Sequence, residues 1–315
     1  MTKDNCRNTR NAPPFKSLHL VILFIAVALY RICNALALQT QFDPDEYWQT
    51  LEPAYCLAFS SGEGADGNCK YTWEWTRRHS ENGSWIDRAL HGPVRSHVPI
   101  LPTFLFYWML KVLHWDTTWL VARGPVLWNA VFVAAPTDVA IYYITGWIWP
   151  SQTAMQGRRF SLGRPECWAL LCSVTSWFHA YALVRTYSNS METMFVTVGI
   201  ALLCPELFGP VSNEALEGKR RPQIRPLAAF AFILGGLSLL VRFTALAVWV
   251  PIGLIICSRR AGWKDMVFHL FYLCAFFGII GISIGCLIDR VFYGFWAVPF
   301  LGSFQFNVIE GTYNG

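Results

Sequence analysis

The segment Phe42-Asp43-Pro44-Asp45-Glu46-Tyr47-Trp48-Gln49 puts three carboxylates within four residues, directly after a mostly apolar run from Leu18 to Leu38. Charged groups at membrane depth are costly, so these acids cannot all face lipid. A carboxylate near an apolar boundary keeps its proton to higher pH through desolvation, which suits a general base. The structural alternative is an N-cap. Asp43 or Asp45 would then start a helix running through Tyr47 to Leu57, whose first turn favours acids. Capping by one carboxylate leaves another available for chemistry.

Other polar groups stand out against apolar surroundings. Thr72-Trp73-Glu74-Trp75 joins an acid to two aromatic faces, which can stack on sugar rings or form an interfacial belt. Arg185, Arg242 and Arg290 each fall at an expected helix end. Arginine suits two-point binding of a phosphate, and the alternative is snorkelling to the interface. Glu192 and Asp289 are expected to pair with these arginines, and His97 and His179 read as satisfied structural histidines. The ten cysteines show no CxxC or Cys/His spacing, so no metal site is expected. Those in apolar runs (Cys167, Cys172, Cys204, Cys274 and Cys286 among them) read as small buried hydrophobes. Cys56 and Cys69 share one polar loop and form a possible disulfide if that loop is lumenal.

These residues have to be positioned by membrane helices. The 315-residue chain is 54% hydrophobic and 14% charged, against roughly 25% charge in soluble domains. Its basic residues form clusters between apolar runs rather than a stripe among exposed aromatics, which sets nucleic acid aside as a partner. The fold class expected is an all-α polytopic membrane protein. Residues 1–17, with Lys3, Arg7, Arg10 and Lys16, read as a cytosolic N-terminus. Residues 18–39 read as a retained first transmembrane helix, since the run is long and no small-x-small cleavage site follows. Residues 40–119 read as a lumenal catalytic loop carrying the sequon Asn82-Gly83-Ser84, a glycosylation site usable only on that side. Within the loop, 98–114 is apolar but short and contains Pro99, Pro102 and Lys111, as an interfacial or re-entrant helix would.

Residues 120–288 form the transmembrane bundle, with runs at 120–149, 167–184, 191–209, 227–257 and 266–288, and 289–315 is a lumenal segment. The run 227–257 is too long for one ordinary helix and is interrupted at Arg242, so it reads as two. The basic stretches around 158–164, 219–225 and 259–264 then all become cytosolic, as the positive-inside rule requires. The count comes to about seven spans, and the acids and arginines above gather at one membrane–lumen boundary.

In this arrangement the chain resembles the membrane-embedded mannosyltransferases that use dolichyl-phosphate mannose, most closely the branch that adds the third mannose of the GPI anchor. The matching blocks are Pro44-Asp45-Glu46-Tyr47-Trp48-Gln49 with Leu51-Glu52, Thr72-Trp73-Glu74-Trp75-Thr76, and Arg95-Ser96. They continue with Ser176-Trp177-Phe178, Arg185-Thr186, Asn189-Ser190-Met191-Glu192-Thr193, Ile288-Asp289-Arg290-Val291-Phe292-Tyr293-Gly294, Phe304 through Val308, and Gly311-Thr312. Each block alone is weak, but as an ordered set they are specific.

The resemblance implies a GT-C-type helical bundle with a large first lumenal loop, lying in the endoplasmic reticulum membrane. It implies an inverting transfer of mannose from dolichyl-phosphate mannose to the 2-hydroxyl of a mannose on a GPI glycolipid acceptor, with no cofactor beyond the donor. The acidic position of the family motif falls on Asp45, which would be the base, with Glu46 as the second catalytic residue, orienting it or binding the acceptor; Asp43 lies outside the pattern as a cap. Trp73, Glu74, Trp75, Arg95, Arg185, Glu192, Arg242, Asp289 and Arg290 become the candidate substrate-binding residues. Trp73 and Trp75 would line the sugar site, and Arg185, Arg242 or Arg290 would hold the donor phosphate.

The competing expectations are a sister enzyme of N-glycan precursor assembly or of the fourth GPI mannose, an inactive fragment, and a transporter or flippase. The last would need mid-membrane charges and internal repeats. Three departures from the pattern stand out. The stretch between Trp75 and Arg95 is longer than usual, and Phe243 replaces the Pro that usually follows the arginine, which questions the break at Arg242. Family members also continue through further spans beyond the point where this chain stops, at Gly315.

Overall fold

The computed structural model describes residues 17–39, 44–59, 71–76, 84, 92–149, 163–209, 226–259 and 263–310. Asp43, Cys69, Asn82 and most of the basic residues invoked for topology (Arg158, Arg159, Lys219, Arg220, Arg221, Arg225) lie outside them. The described residues are overwhelmingly helical and contain no strand. The helices are α1 (Ser17–Ala37), α2 (44–59), α3 (Leu101–Leu113), α4 (Thr118–Ile148) and α5 (Pro165–Thr175), followed by α6 (Ser188–Phe208), α7 (Pro226–Val241), α8 (Phe243–Ser258), α9 (Met266–Tyr293) and α10 (299–310). Four of them, α1, α4, α6 and α9, are long and apolar enough to cross a membrane, and α3, α7 and α8 are shorter apolar helices.

Local sequence sets many of the boundaries. Proline stands in the first turn of α3 and α5, where its missing N–H has no bond to lose. Helix α9 stops at Gly294, whose φ of 73° lies in the left-handed region that glycine enters without a Cβ clash. His114 ends α3 in the same region, at φ 54°. Its 13 residues give α3 a length of about 20 Å at 1.5 Å per residue, short of the roughly 30 Å hydrocarbon core. Lys111 Nζ donates to the Ala58 carbonyl at 2.9 Å, tying α3 to the end of α2.

The break expected at Arg242 is present. Its backbone is extended (φ −153°, ψ 131°) between α7 and the 3-10 turn that opens α8, so Phe243 serves where a proline was expected. Helix α8 folds back on α7: Trp249 packs its ring on Phe232 with centroids 5.8 Å apart and donates Nε1–H to Ser238 Oγ at 2.9 Å.

Contacts also show that the helices alternate between two ends of the bundle. At one end His19 of α1 meets Tyr142 of α4 at 3.1 Å, and Arg259 donates to the Gly209 carbonyl at 2.5 Å. At the other, Arg123 of α4 donates to the Leu38 carbonyl at 2.7 Å, Arg242 bonds Asn189 of α6, and Ser96 bonds Asp289 of α9 at 2.8 Å.

Small residues let the helices approach. Ala28 and Ala35 of α1 lie against Ala130, Ala134 and Ala135 of α4 in two buried clusters. Van der Waals packing of this kind holds helices together where lipid offers no hydrophobic gain. The cysteines depart from the all-buried expectation. Cys167 and Cys204 are buried, but Cys274 and Cys286 are half-buried and Cys172 is exposed, as an apolar side chain on a lipid-facing flank can be at no cost.

The tightest crossing is α7 on α9. A Cβ on Gly236 would lie 2.1 Å from the Gly278 carbonyl oxygen, and one on Gly281 would lie 2.2 Å from that of Ile233. Gly281→Val is therefore expected to overpack this contact by about 1–3 kcal/mol, seen as a lower unfolding temperature in detergent. Gly278→Ala, whose Cβ meets nothing within 4 Å, should melt like the parent.

Candidate functional site

The acidic motif opens α2. Asp45 is exposed, whereas Glu46 is 2% exposed. Glu46 Oε2 accepts from Arg185 Nη1 at 2.7 Å, and Oε1 accepts from both the backbone N–H and the hydroxyl of Thr186 at 3.1 Å each. The Arg185 guanidinium lies over the Tyr181 ring, 4.6 Å from its centroid. Adjacent residues on a helix point about 100° apart, so one carboxylate is locked into the bundle while its neighbour faces out. The cradle is held in turn by Asn129 of α4, whose Nδ2 donates to the carbonyls of Leu183 (3.2 Å) and Arg185 (2.5 Å).

The aromatic segment 71–76 is stitched to α2 from the other side. Trp75 is 5% exposed, donates Nε1–H to the Trp48 carbonyl at 3.2 Å, and packs in a core with Ala54, Ala58, Ile100, Phe106, Tyr107 and Leu110. A ring buried this way offers no open face, which corrects its expected place as a sugar platform. Trp73 keeps an open face: it is 44% exposed and abuts Phe306 of α10 at 4.7 Å. Glu74 forms a two-point bridge with Arg95 (3.2 and 3.1 Å), and its carbonyl accepts from the Val94 and Arg95 amides. These two candidate ligands thus engage each other. Burial, and secondarily the Glu52 charge, raise the Tyr71 hydroxyl above its ordinary pKa and keep it neutral.

Asp289 was expected to pair with an arginine, and it does not. It is fully buried, accepting from Ser96 Oγ (2.8 Å) and the His97 N–H (2.6 Å), with His97 Nδ1 3.1 Å away. A turn docked on a helix end needs an acceptor for its inward N–H, and Asp289 supplies it. His97, stacked on Phe292 at 5.0 Å, is the structural histidine expected. Glu192 does pair with Arg242, at 3.7 Å, and also accepts from Thr244 Oγ1 at 3.0 Å. The Arg242 side chain remains 39% exposed at the α7–α8 turn. Arg290 is half-buried, with its guanidinium 6.0 Å over the Trp296 ring. Cys56 is disulfide-bonded, and Cys69 lies outside the described residues.

Sequence reasoning missed Asn129, for which no local signal exists, and assigned no role to Thr186. It also missed Asp138, which is fully buried and grips Arg31 of α1 at 2.7 and 3.0 Å. The signal there was legible: one unaccompanied acid in the run 120–149 and one unaccompanied base in 18–38.

An all-helical bundle with membrane-length helices and an acidic loop helix sealed to one end defines a multi-pass membrane protein with its polar site at a single face. The chain belongs to the Alg9-like mannosyltransferase family, whose profile matches residues 22–314. It is 29% identical over 307 residues to GPI alpha-1,2-mannosyltransferase 3 of Bos taurus, covering 95% of this chain and 46% of that one. It is also 29% identical over 299 residues to GPI alpha-1,2-mannosyltransferase 3 of Homo sapiens, covering 94% and 44%. With GPI mannosyltransferase 3 of Schizosaccharomyces pombe it shares 29% identity over 311 residues, covering 91% and 53%. The chain thus spans about half the length of the curated relatives it matches. No solved structure gives a significant match.

The two neighbouring carboxylates are separable by stability. Glu46→Ala strands the buried Arg185 charge, an expected loss of about 3–5 kcal/mol measured as a marked fall in unfolding temperature. Asp45→Asn, at an exposed position, should leave that temperature unchanged.

Proposed function

We propose that the chain is the donor-binding and catalytic part of an inverting mannosyltransferase of GPI-anchor assembly, with Asp45 as the general base. The observation that carries this reading is the division of labour in the Asp45-Glu46 pair. Glu46 is sealed by Arg185 and Thr186, and this fixes α2 so that Asp45 alone of the two meets solvent. Transfer from a dolichyl phosphate needs one base, to take the proton from the attacking 2-hydroxyl of the acceptor mannose. A phosphate departs without a general acid, so a second catalytic carboxylate is not required. The C2 oxygen attacks the anomeric carbon from the face opposite the phosphate. The bond to the phosphate oxygen breaks, and its electron pair leaves with dolichyl phosphate.

Of the three arginines considered for the donor phosphate, Arg242 fits best. Arg185 is committed to Glu46 and Arg290 leans on Trp296, whereas Arg242, 39% exposed, meets Glu192 at a long 3.7 Å and bonds Asn189. It stands at a helix turn at the end of the bundle, where a lipid phosphate would lie. Trp73, with its open ring, is the sugar-stacking candidate. The relatives named GPI alpha-1,2-mannosyltransferase 3 and GPI mannosyltransferase 3 support a GPI glycolipid as acceptor, and the location proposed with it is the endoplasmic reticulum membrane, site towards the lumen.

Microsomes carrying Asp45→Asn at parental abundance are expected to lose mannosyl transfer by a factor on the order of 10²–10⁴, the usual worth of a general base. Transfer at the parental rate would reject Asp45. Cells lacking the protein should accumulate a GPI intermediate with two mannoses, and an intact GPI pathway would sink the acceptor assignment.

A further inference from the structure

The segment that carries Arg185 and Thr186 is irregular within a bundle of membrane helices. Helix α5 ends at Thr175, Ser176 turns out at ψ 123°, and a single wide turn covers His179–Leu183 before the chain re-enters α6. Backbone of this kind is tolerated at membrane depth only where other protein groups satisfy its carbonyls. Here they come from three helices. From α1, Arg31 donates to the His179 carbonyl (3.3 Å) and Asn34 to that of Ala180 (2.6 Å), while Tyr30 Oη and Arg31 hold the last turn of α5 just before it through the carbonyls of Val174 (2.9 Å) and Ser173 (3.3 Å). From α6, Ser190 Oγ donates to the Ala182 carbonyl at 2.8 Å. From α4, Asn129 holds Leu183 and Arg185 as described.

The hub is Arg31. Its Nε and Nη2 donate to both oxygens of Asp138, which leaves Nη1 to reach the His179 carbonyl in the segment and a second Nη2 contact to the Ser173 carbonyl at the end of α5. Asp138 Oδ1 also accepts from Ser173 Oγ (2.6 Å), which lies 3.0 Å from His179 Nδ1. Arg31 and Asp138 are both 0% exposed. A closed pair of this kind lines no aqueous path, and it is more than stability alone requires: apolar side chains of similar volume often serve a core equally well.

We infer that Arg31, oriented by Asp138 and assisted by Asn34, is a positioning residue for the reaction. It fixes the irregular segment 176–187, and so the Arg185–Thr186 cradle that seats Glu46 and presents Asp45. This rests on the proposed role of Asp45 for its kinetic arm only.

The test uses the full protein in nanodiscs and the variants R31M/D138L and R31K. The first removes both charges together and leaves no stranded ion. The second keeps the charge without the fork. Two readouts are followed: backbone hydrogen exchange over residues 183–187, where the Thr186 amide is bonded to Glu46, and the steady-state kinetics of mannosyl transfer. The expected result is faster exchange in that segment in both variants, with kcat lowered on the order of tenfold to a hundredfold and the KM for dolichyl-phosphate mannose unchanged. Parental exchange over 183–187 in either folded variant overturns the inference, and so does parental kcat in R31M/D138L. If the parent itself transfers no mannose, the functional reading fails, while hydrogen exchange alone still decides the positioning role.

Discussion

Seating Glu46 below the protein surface is the requirement on which the site depends. A carboxylate in that position needs a cation beside it and partners for its remaining lone pairs, because the cost of desolvating an isolated charge is several kcal/mol. Arg185 and Thr186 meet both needs, but neither sits on a regular helix. Their segment must be held from outside, which draws in Asn129 from α4, Ser190 from α6 and the Tyr30–Asn34 stretch of α1. Burying one side chain in the loop thus links three membrane helices to the position of its exposed neighbour.

The loop is anchored a second time through Asp289. By taking the Ser96 hydroxyl and the His97 amide it docks the chain before α3 on the end of α9, and the Tyr293 hydroxyl adds a bond to the Arg95 carbonyl at 2.6 Å. The apolar cluster around Trp75, Ile100 and Tyr107 then forms a small core outside the bundle proper. The two anchors are chemically alike. In each, a buried acid collects donors from a turn of the chain that crosses it.

Much of this architecture was legible in the sequence. The short apolar segment 98–114, the interruption at Arg242 and the gathering of polar residues at one end followed from length, proline placement and charge. Each is a property of single segments that lipid enforces on them. The roles of individual polar residues were less legible, because a role depends on which helix faces which. Asp289 and Glu192 are both acids near arginines in the chain, yet only Glu192 meets one. Trp73 and Trp75 sit two apart with the same side chain, and only packing against Ile100 and Phe106 separates the buried ring from the open one. The Arg31–Asp138 pair shows the same limit: two lone charges in apolar runs are visible one by one, and their partnership is visible only across 107 residues of chain.

The separation of Asp45 from Glu46 depends on one more feature of α2. Its buried positions include Glu46, Thr50, Ala54 and Ala58, each four residues apart, with Pro53 and Cys56 buried beside them. At 3.6 residues per turn such a stripe drifts about 40° per step, or about 120° from Glu46 to Ala58, too far to keep both ends buried. The wide i→i+5 turn at Tyr47–Leu51 takes up the extra residue and brings the stripe back towards one face. The first turn of α2 can then face the Arg185 cradle while its last turn packs on α3. A regular helix would have to surrender one of the two contacts. Releasing the first would free Glu46 to rotate, and the distinction between the two carboxylates would be lost with it.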